Sequence, residues 1–311
     1  MSSAHGETQG DMHVVPHGVT RTERAHAKIN VLLRILAREA SGYHGIETLF
    51  QRLALHDVVQ VAVNEAPRAL TCDGPGMPAG GIGAPEHNLA WRAAALYCEA
   101  ARWHTGWQIT IGKHIPVGGG LGGGSADAAA VLRALEALCP TPLGLARLLE
   151  LAGTLGADVP FMVLDVPLAW AWGRGDRLLP LPALPAMAVT LIAFTEGVNT
   201  GVAYGAFARA SEARSRTVPA YAYSPDAFTD WAHVCALAAN DFEQVVPSLH
   251  AGVAAVLPVL RAEAQRMKGA GTPAIGMMSG SGATCFLLHD AGTVTEVVVP
   301  EGGRIVRTST A

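Results

Sequence analysis

The chain has 311 residues, half of them hydrophobic and 15% charged, with a formal net charge of −4. Such a chain folds, is long enough for two domains of ordinary size, and excludes the disordered class. Its weak negative charge points to neither a nucleic-acid nor a membrane surface.

No run of 18 apolar residues occurs, and "VPFMVLDVPLAWAW" and "ALPAMAVTLIAF" read as core segments. The start, "MSSAHGETQGDMHVVPHG", lacks the apolar stretch of an export signal and is expected to be a mobile extension over residues 1–20. Five cysteines stand far apart with no CxxC pair, which reads as reduced thiols of a cytoplasmic protein. Only three lysines occur, Lys28, Lys113 and Lys268, among many arginines. A chain that uses arginine so freely keeps lysine where a compact ammonium is needed, or does so by chance.

In chain order, "AKINVLLRILAR" (27–38) reads as a strand, and 41–63 as a turn at Ser41-Gly42 followed by strand segments. Residues 66–86 are rich in glycine and proline and read as loop. A helix is predicted over 88–103, with Leu89, Ala93, Leu96 and Ala100 at helical spacing, and a strand over 107–116. A glycine loop follows, then a helix starting near Ser125, a second helix over 143–156, and a strand at 187–194. Helical segments fall between 226 and 268, and another glycine-rich stretch lies within 276–289. The mixture lacks a regular βαβ rhythm and favours α+β over a doubly wound sheet. The connector lies between about 165 and 190, dividing a unit over 21–175 from one over 176–311.

The glycine loop is "PVGGGLGGGSADAAAVL" (116–132). It contains G-x-G-x-x-G, but not in the first βα unit that a dinucleotide fold requires. It also lacks the G-K-[ST] ending of a Walker loop. What survives is physical: bare glycines let several backbone N–H groups approach an anion, and the next helix adds its positive end. Ser125 could cap that helix or bind a phosphate-bound Mg²⁺. A linker or a packing turn is the structural alternative.

These residues resemble the second motif, P-x-G-x-G-L-G-[GS]-S-[SA], of the GHMP kinases, which phosphorylate galactose, homoserine, mevalonate and similar alcohols. "AHAKINVLLRI" resembles their first motif and "SGSGATCFLL" their third. More narrowly, "AKIN", "GYHGIETLFQ", "GGGLGGGSADAA", "GADVPF" and "NDFE", in this order, resemble the branch that uses ATP on a cytidine-diphosphate sugar alcohol. The likeness spans roughly residues 25 to 289. It implies two α+β domains, an N-terminal one of the ribosomal protein S5 domain 2-like type with a left-handed βαβ feature and a ferredoxin-like C-terminal one.

The same likeness implies roles. ATP phosphates would lie on Pro116, Gly118, Gly119, Gly120, Leu121, Gly122, Gly123, Gly124, Ser125 and Ala126, with Asn88 and Lys113 near the nucleotide and Mg²⁺ at Ser125. Asp158, in "TLGADVPF", could be a capping or salt-bridged carboxylate from sequence alone; the likeness makes it the proton acceptor. Lys28 could be an edge-strand lysine facing water; the likeness pairs it with Asp158. Tyr43 and His44 could merely pack in a turn; the likeness makes them a cytosine reader, one stacking and one bonding the polar edge. Tyr204, with Phe207 as competitor, would be the second stacking ring. Asn30, Gly280 and Ser281 would complete the substrate side, and "NDFE" would be structural. A homoserine- or mevalonate-type kinase and a non-catalytic nucleotide-binding regulator remain the alternatives, with a dinucleotide oxidoreductase behind them. The expected assembly is a monomer or weak homodimer.

Overall fold

The computed structural model describes residues 18–38, 44–78, 80–213, 223–290, 297 and 299–311. Tyr43 and the first 17 residues lie outside them. Two long strands dominate the first half, β1 (Val19–Arg38) and β2 (His44–Asn64), paired antiparallel along their length. In β2 the residues Val59, Val61 and Val63 are buried, the period-two pattern of a strand with one face on the core. β3 (Ala69–Asp73) emerges within the stretch expected to be loop. It pairs in parallel with β4 (Gly106–Gly112), and α1 (Leu89–Ala100) forms the crossover between them. Its short alternating sequence, "ALTCD", is masked in sequence by the glycines and prolines on either side.

The helix after the glycine loop, α2 (Gly123–Leu138), is buried almost all round, from Ala126 to Ala130 and at Val131, Leu132, Ala134 and Leu135. Alanine at so many of these positions lets it lie closely on α1, α4 (Val159–Leu164) and the sheet. α3 (Leu145–Leu155) leads to α4, after which β5 (Leu168–Gly173) and β6 (Arg177–Leu181) form a hairpin on β2. Among the described residues the first sheet has seven strands, with β3-β4-β2-β1 and then β8 (Ala239–Asn240) as its path and the β5–β6 hairpin on β2.

The second sheet has the order β11-β7-β10-β9, from β7 (Ala188–Phe194), β9 (Ile275–Met278), β10 (Cys285–His289) and β11 (Gly303–Ser309). Numbered within itself this is 4-1-3-2, the antiparallel order of a ferredoxin-like sheet, and α7 (Ala251–Gly269) packs on β9 and β10. α5 (Thr200–Ala213) and α6 (Trp231–Leu237) fill the long connection from β7. An expected division after residue 175 falls inside the β5–β6 turn; the chain passes from one sheet to the other between Leu181 and Ala188. The units are also tied together, because β8 (Ala239–Asn240) returns to pair with Leu32 and Leu33 of β1. Among the described residues no helix is long and apolar enough to cross a membrane.

Candidate active site

A cleft of about 1370 Å³ opens between the two sheets. Pockets for one small ligand run to roughly 300–1,000 Å³, so this cleft has room for more than one. Lys28, Asn30, His44, Asn88, Lys113, Pro116, every residue from Gly118 to Ser125, Asp158, Tyr204, Gly280 and Ser281 line it. Ala126 does not; it is buried in the core beneath the loop.

The glycine loop is held in a shape that glycine permits. Gly118, Gly120 and Gly122 have φ of 82°, 78° and 73°, alternating with residues of ordinary hand. Alternating hands along a chain turn successive N–H groups to one concave side, an anion-binding nest. The carbonyls are taken up elsewhere. Thr284 N donates to Gly119 O at 3.1 Å, Ser279 Oγ to Gly120 O at 3.1 Å, and Lys28 N to Leu121 O at 3.0 Å. Three carbonyls are thus bound by β1 and the 279–284 loop. A Cβ on Gly120 would strike the Ser279 carbonyl, so the two glycine loops touch backbone to backbone.

The loop runs into α2, whose cap is Gly122 rather than Ser125. Ala126 N makes the first i→i−4 bond, to Gly122 O at 2.8 Å, leaving the amides before it as the free positive end of the helix. Ser125 is the third residue of α2 and makes no side-chain hydrogen bond to a described residue. Among the described residues no group of three or more His, Cys, Asp or Glu could hold a metal by itself. An uncommitted hydroxyl beside a phosphate nest does fit a Mg²⁺ brought in by the nucleotide, which takes few protein ligands.

Opposite the nest, Lys28 Nζ lies 3.3 Å from Asp158 Oδ2 and donates to Asn30 Oδ1 at 2.7 Å. Asn30 Nδ2 donates to Thr48 Oγ1 at 2.7 Å, and Thr48 donates to the Leu32 carbonyl at 2.6 Å. The Lys28 side chain is 4% exposed and that of Asp158 32% exposed, so the lysine is enclosed while the carboxylate faces the cleft. Burying an ammonium requires such partners; Phe50 adds its ring face, 5.4 Å away. Asp158 precedes α4 without capping it by its side chain, so the capping alternative does not hold.

At the other flank, His44 and Tyr204 stack with centroids 5.2 Å apart and planes 14° from parallel. Phe207 instead packs into the core against Phe242. Burial, with Asp158 adding to it, raises the Tyr204 phenol to about 12, so it stays neutral. Asn240 Nδ2 donates to the carbonyls of Met278 and Gly280, both at 2.8 Å, and Glu243 Oε1 accepts from Met278 N at 2.6 Å. The "NDFE" block thus braces the second glycine loop.

Lys113 lines the cleft and is ion-paired behind it. Its Nζ donates to Asp57 Oδ2 at 2.5 Å and to Asp127 Oδ2 at 2.7 Å, all three side chains being buried. Burial works against this ammonium, and the facing carboxylates outweigh it and hold it above its ordinary value. Burial pushes Asp127 up to about 7, Lys113 opposing and Asp57 reinforcing the shift. Neither aspartate was singled out by sequence reasoning. A signal existed for Asp57, which shares strand phase with Val59, Val61 and Val63 and so points inward.

The GHMP kinases N terminal domain family matches residues 88–165, which include the glycine loop, α2 and Asp158. A 4-diphosphocytidyl-2-C-methyl-D-erythritol kinase from Geobacter metallireducens is 37% identical over 266 residues, 85% of this chain and 88% of its own length. The chain belongs to the 4-diphosphocytidyl-2-C-methyl-D-erythritol kinase family. A crystal structure of a 4-(cytidine 5'-diphospho)-2C-methyl-D-erythritol kinase superposes with a TM-score of 0.60 at 31% identity, covering 93% of this chain and 98% of the other. The L. major mevalonate kinase reaches a TM-score of 0.64 at 12% identity, covering 95% and 97%, and shares the fold alone. Residues of "GGGLGGGSADAA", "GADVPF" and "AKIN" line this one cleft together with His44 at the start of β2, and "NDFE" braces the second glycine loop.

Proposed function

We infer that the protein transfers the γ-phosphoryl group of ATP to the 2-hydroxyl of 4-diphosphocytidyl-2-C-methyl-D-erythritol, giving the 2-phosphate and ADP, in non-mevalonate isoprenoid precursor biosynthesis. The observation that carries this reading is the Lys28–Asp158 pair facing the backbone nest in one cleft. Phosphoryl transfer needs little covalent chemistry from the protein; it needs the phosphates held, charge neutralised and the acceptor hydroxyl placed in line.

The amides of 118–125 and the α2 N-terminus bind the phosphates of ATP. Asp158 accepts the hydroxyl proton as the new O–P bond forms and the bond between the γ-phosphorus and the bridging oxygen breaks, releasing ADP. Lys28, held by Asn30 and Thr48, fixes the Asp158 carboxylate and stabilises negative charge developing on the transferred group. Mg²⁺, held at Ser125 and by the phosphates, would supply further charge neutralisation when bound. Tyr204 sets the plane of His44, whose ring reads the polar edge of cytosine.

Phosphorus NMR of a mixture of protein, ATP, Mg²⁺ and the cytidyl alcohol tests the reading. A new phosphomonoester resonance, with the substrate's diphosphate intact, is the expected result. The intact Lys28–Asp158 contact speaks against a nucleotide-binding regulator without turnover. ATP hydrolysis with no phosphomonoester would revive that reading.

A further inference from the structure

We propose that Asp57 is a positioning residue for the nucleotide side of the cleft, acting through the Lys113 ammonium and the backbone that leads into the glycine loop. The proposal rests on the reading of that loop as the ATP site. Asp57 stands on β2, is fully buried and does not itself line the cleft. Its Oδ2 accepts from Lys113 Nζ at 2.5 Å, and its Oδ1 accepts from His114 N at 2.5 Å and Ile115 N at 2.8 Å. One carboxylate therefore fixes three consecutive residues directly before Pro116. The backbone of Lys113 is gripped from the other side as well, by Asp73 O at 2.6 Å and Gly76 N at 2.8 Å.

The position of the ammonium gives this fixation a purpose. A Cβ on Gly123 would lie 3.5 Å from Lys113 Nζ, so the charge rests against the first residue of α2, at the positive helix end. An ammonium there is unfavourable on two counts, the helix field and burial. Asp57 and Asp127 offset both. An ammonium has three N–H groups, and two are held by these carboxylates, which leaves one for the cleft that Lys113 lines. Without Asp57 the ammonium would swing toward Asp127 alone and the 113–115 turn would lose two backbone anchors. The charge would then no longer stand beneath the phosphate nest.

Asp57→Asn keeps an oxygen for the His114 and Ile115 amides and removes the charge that holds Lys113. Calorimetric titration with ATP and steady-state kinetics of the full chain read the effect. The expected result is a Kd and KM for ATP raised tenfold or more, with KM for the alcohol and kcat at saturating ATP within twofold of wild type. In a Lys113→Met background, adding Asp57→Asn should change the ATP Kd by less than twofold, because one residue works through the other. Unchanged ATP affinity in a folded Asp57→Asn protein overturns the proposal, as do equal losses for both substrates or effects that multiply in the double variant. If Asp57→Asn does not fold, Lys113→Met alone decides. A raised ATP Kd with unchanged alcohol KM supports the proposal, and a wild-type ATP Kd overturns it. A wild-type protein that binds no ATP brings down the reading of the glycine loop and this proposal with it. Wild-type binding that Asp57→Asn leaves intact brings down the proposal alone.

Discussion

Lys28 Nζ stands 3.3 Å from Asp158 Oδ2, an enclosed ammonium against a carboxylate open to the cleft. The two residues lie 130 positions apart, on β1 and at the start of α4, and meet because α2 packs on β1 and α4 packs on α2, with Phe161 of α4 stacked on Phe50 of β2. This pairing gives the first prediction. Asp158→Asn preserves size and removes the proton acceptor, so kcat should fall by about 10²–10⁴. Titration should give an ATP Kd within a few-fold of wild type. A variant with near-normal kcat removes Asp158 from the chemistry.

The hydrogen-bond chain behind Lys28 supplies the second. Thr48→Val keeps the shape and deletes a hydroxyl that accepts from Asn30 and donates to Leu32 O. Two buried polar groups then lose partners, a destabilisation of about 1–3 kcal/mol. Thermal melting should show a drop of several degrees, and kcat should fall while KM for ATP changes little. An unchanged melting temperature would mean that the chain contributes nothing to Lys28 placement.

Gly120→Ala tests the contact between the glycine loops. Its φ of 78° is rarely adopted by alanine, and the added methyl would meet the Ser279 carbonyl. ATP affinity should fall at least tenfold in a protein that still folds, as judged by circular dichroism. Wild-type affinity would show that the loop shape is not what binds phosphate.

On the proposed reading His44 and Tyr204, stacked with centroids 5.2 Å apart, select the base. Tyr204→Ala removes the face on which His44 rests, so kcat/KM for the cytidyl substrate should fall by about 5–150-fold, as a lost stacking contact of roughly 1–3 kcal/mol implies. His44→Ala should narrow the preference for a cytidyl over a uridyl analogue. Equal losses on both analogues, or a matching loss of ATP affinity, would make this pair a packing feature.

Asp127 makes stability depend on pH. Its carboxyl is raised from 3.8 to about 7, so the folded chain holds this proton more tightly than the unfolded one. The stability it contributes is fully present below about pH 4 and is lost as pH rises toward about 7. Asp127→Asn removes that slope. The variant's melting temperature minus that of wild type should therefore become more positive between pH 5 and pH 8. A difference that stays flat across this range contradicts the assignment.

Much of the active half was legible because its chemistry sits in short strings. Alternate glycines before an alanine helix announce a nest, and "AKIN" and "GADVPF" place Lys28 and Asp158 by resemblance. Two of the three lysines proved to be the buried, ion-paired ones, as their scarcity hinted. β3 escaped notice because flanking glycines and prolines dilute a five-residue strand. The Asp57–Lys113–Asp127 cluster escaped because its members come from β2, the end of β4 and α2, and only strand pairing brings them together. The substitution of Gly122 for Ser125 as helix cap follows from the left-handed φ of Gly122, which no side chain signals.

Whether this cleft phosphorylates a cytidine-diphosphate sugar alcohol is read from kcat/KM across a panel of alcohols. The purified chain is given ATP, Mg²⁺ and, in separate reactions, 4-diphosphocytidyl-2-C-methyl-D-erythritol, homoserine or mevalonate, and ADP release is followed. Turnover with the cytidyl alcohol is expected at a kcat/KM at least a hundredfold above that for either other alcohol. Preferred turnover of homoserine or mevalonate, or none with the cytidyl alcohol, would contradict it.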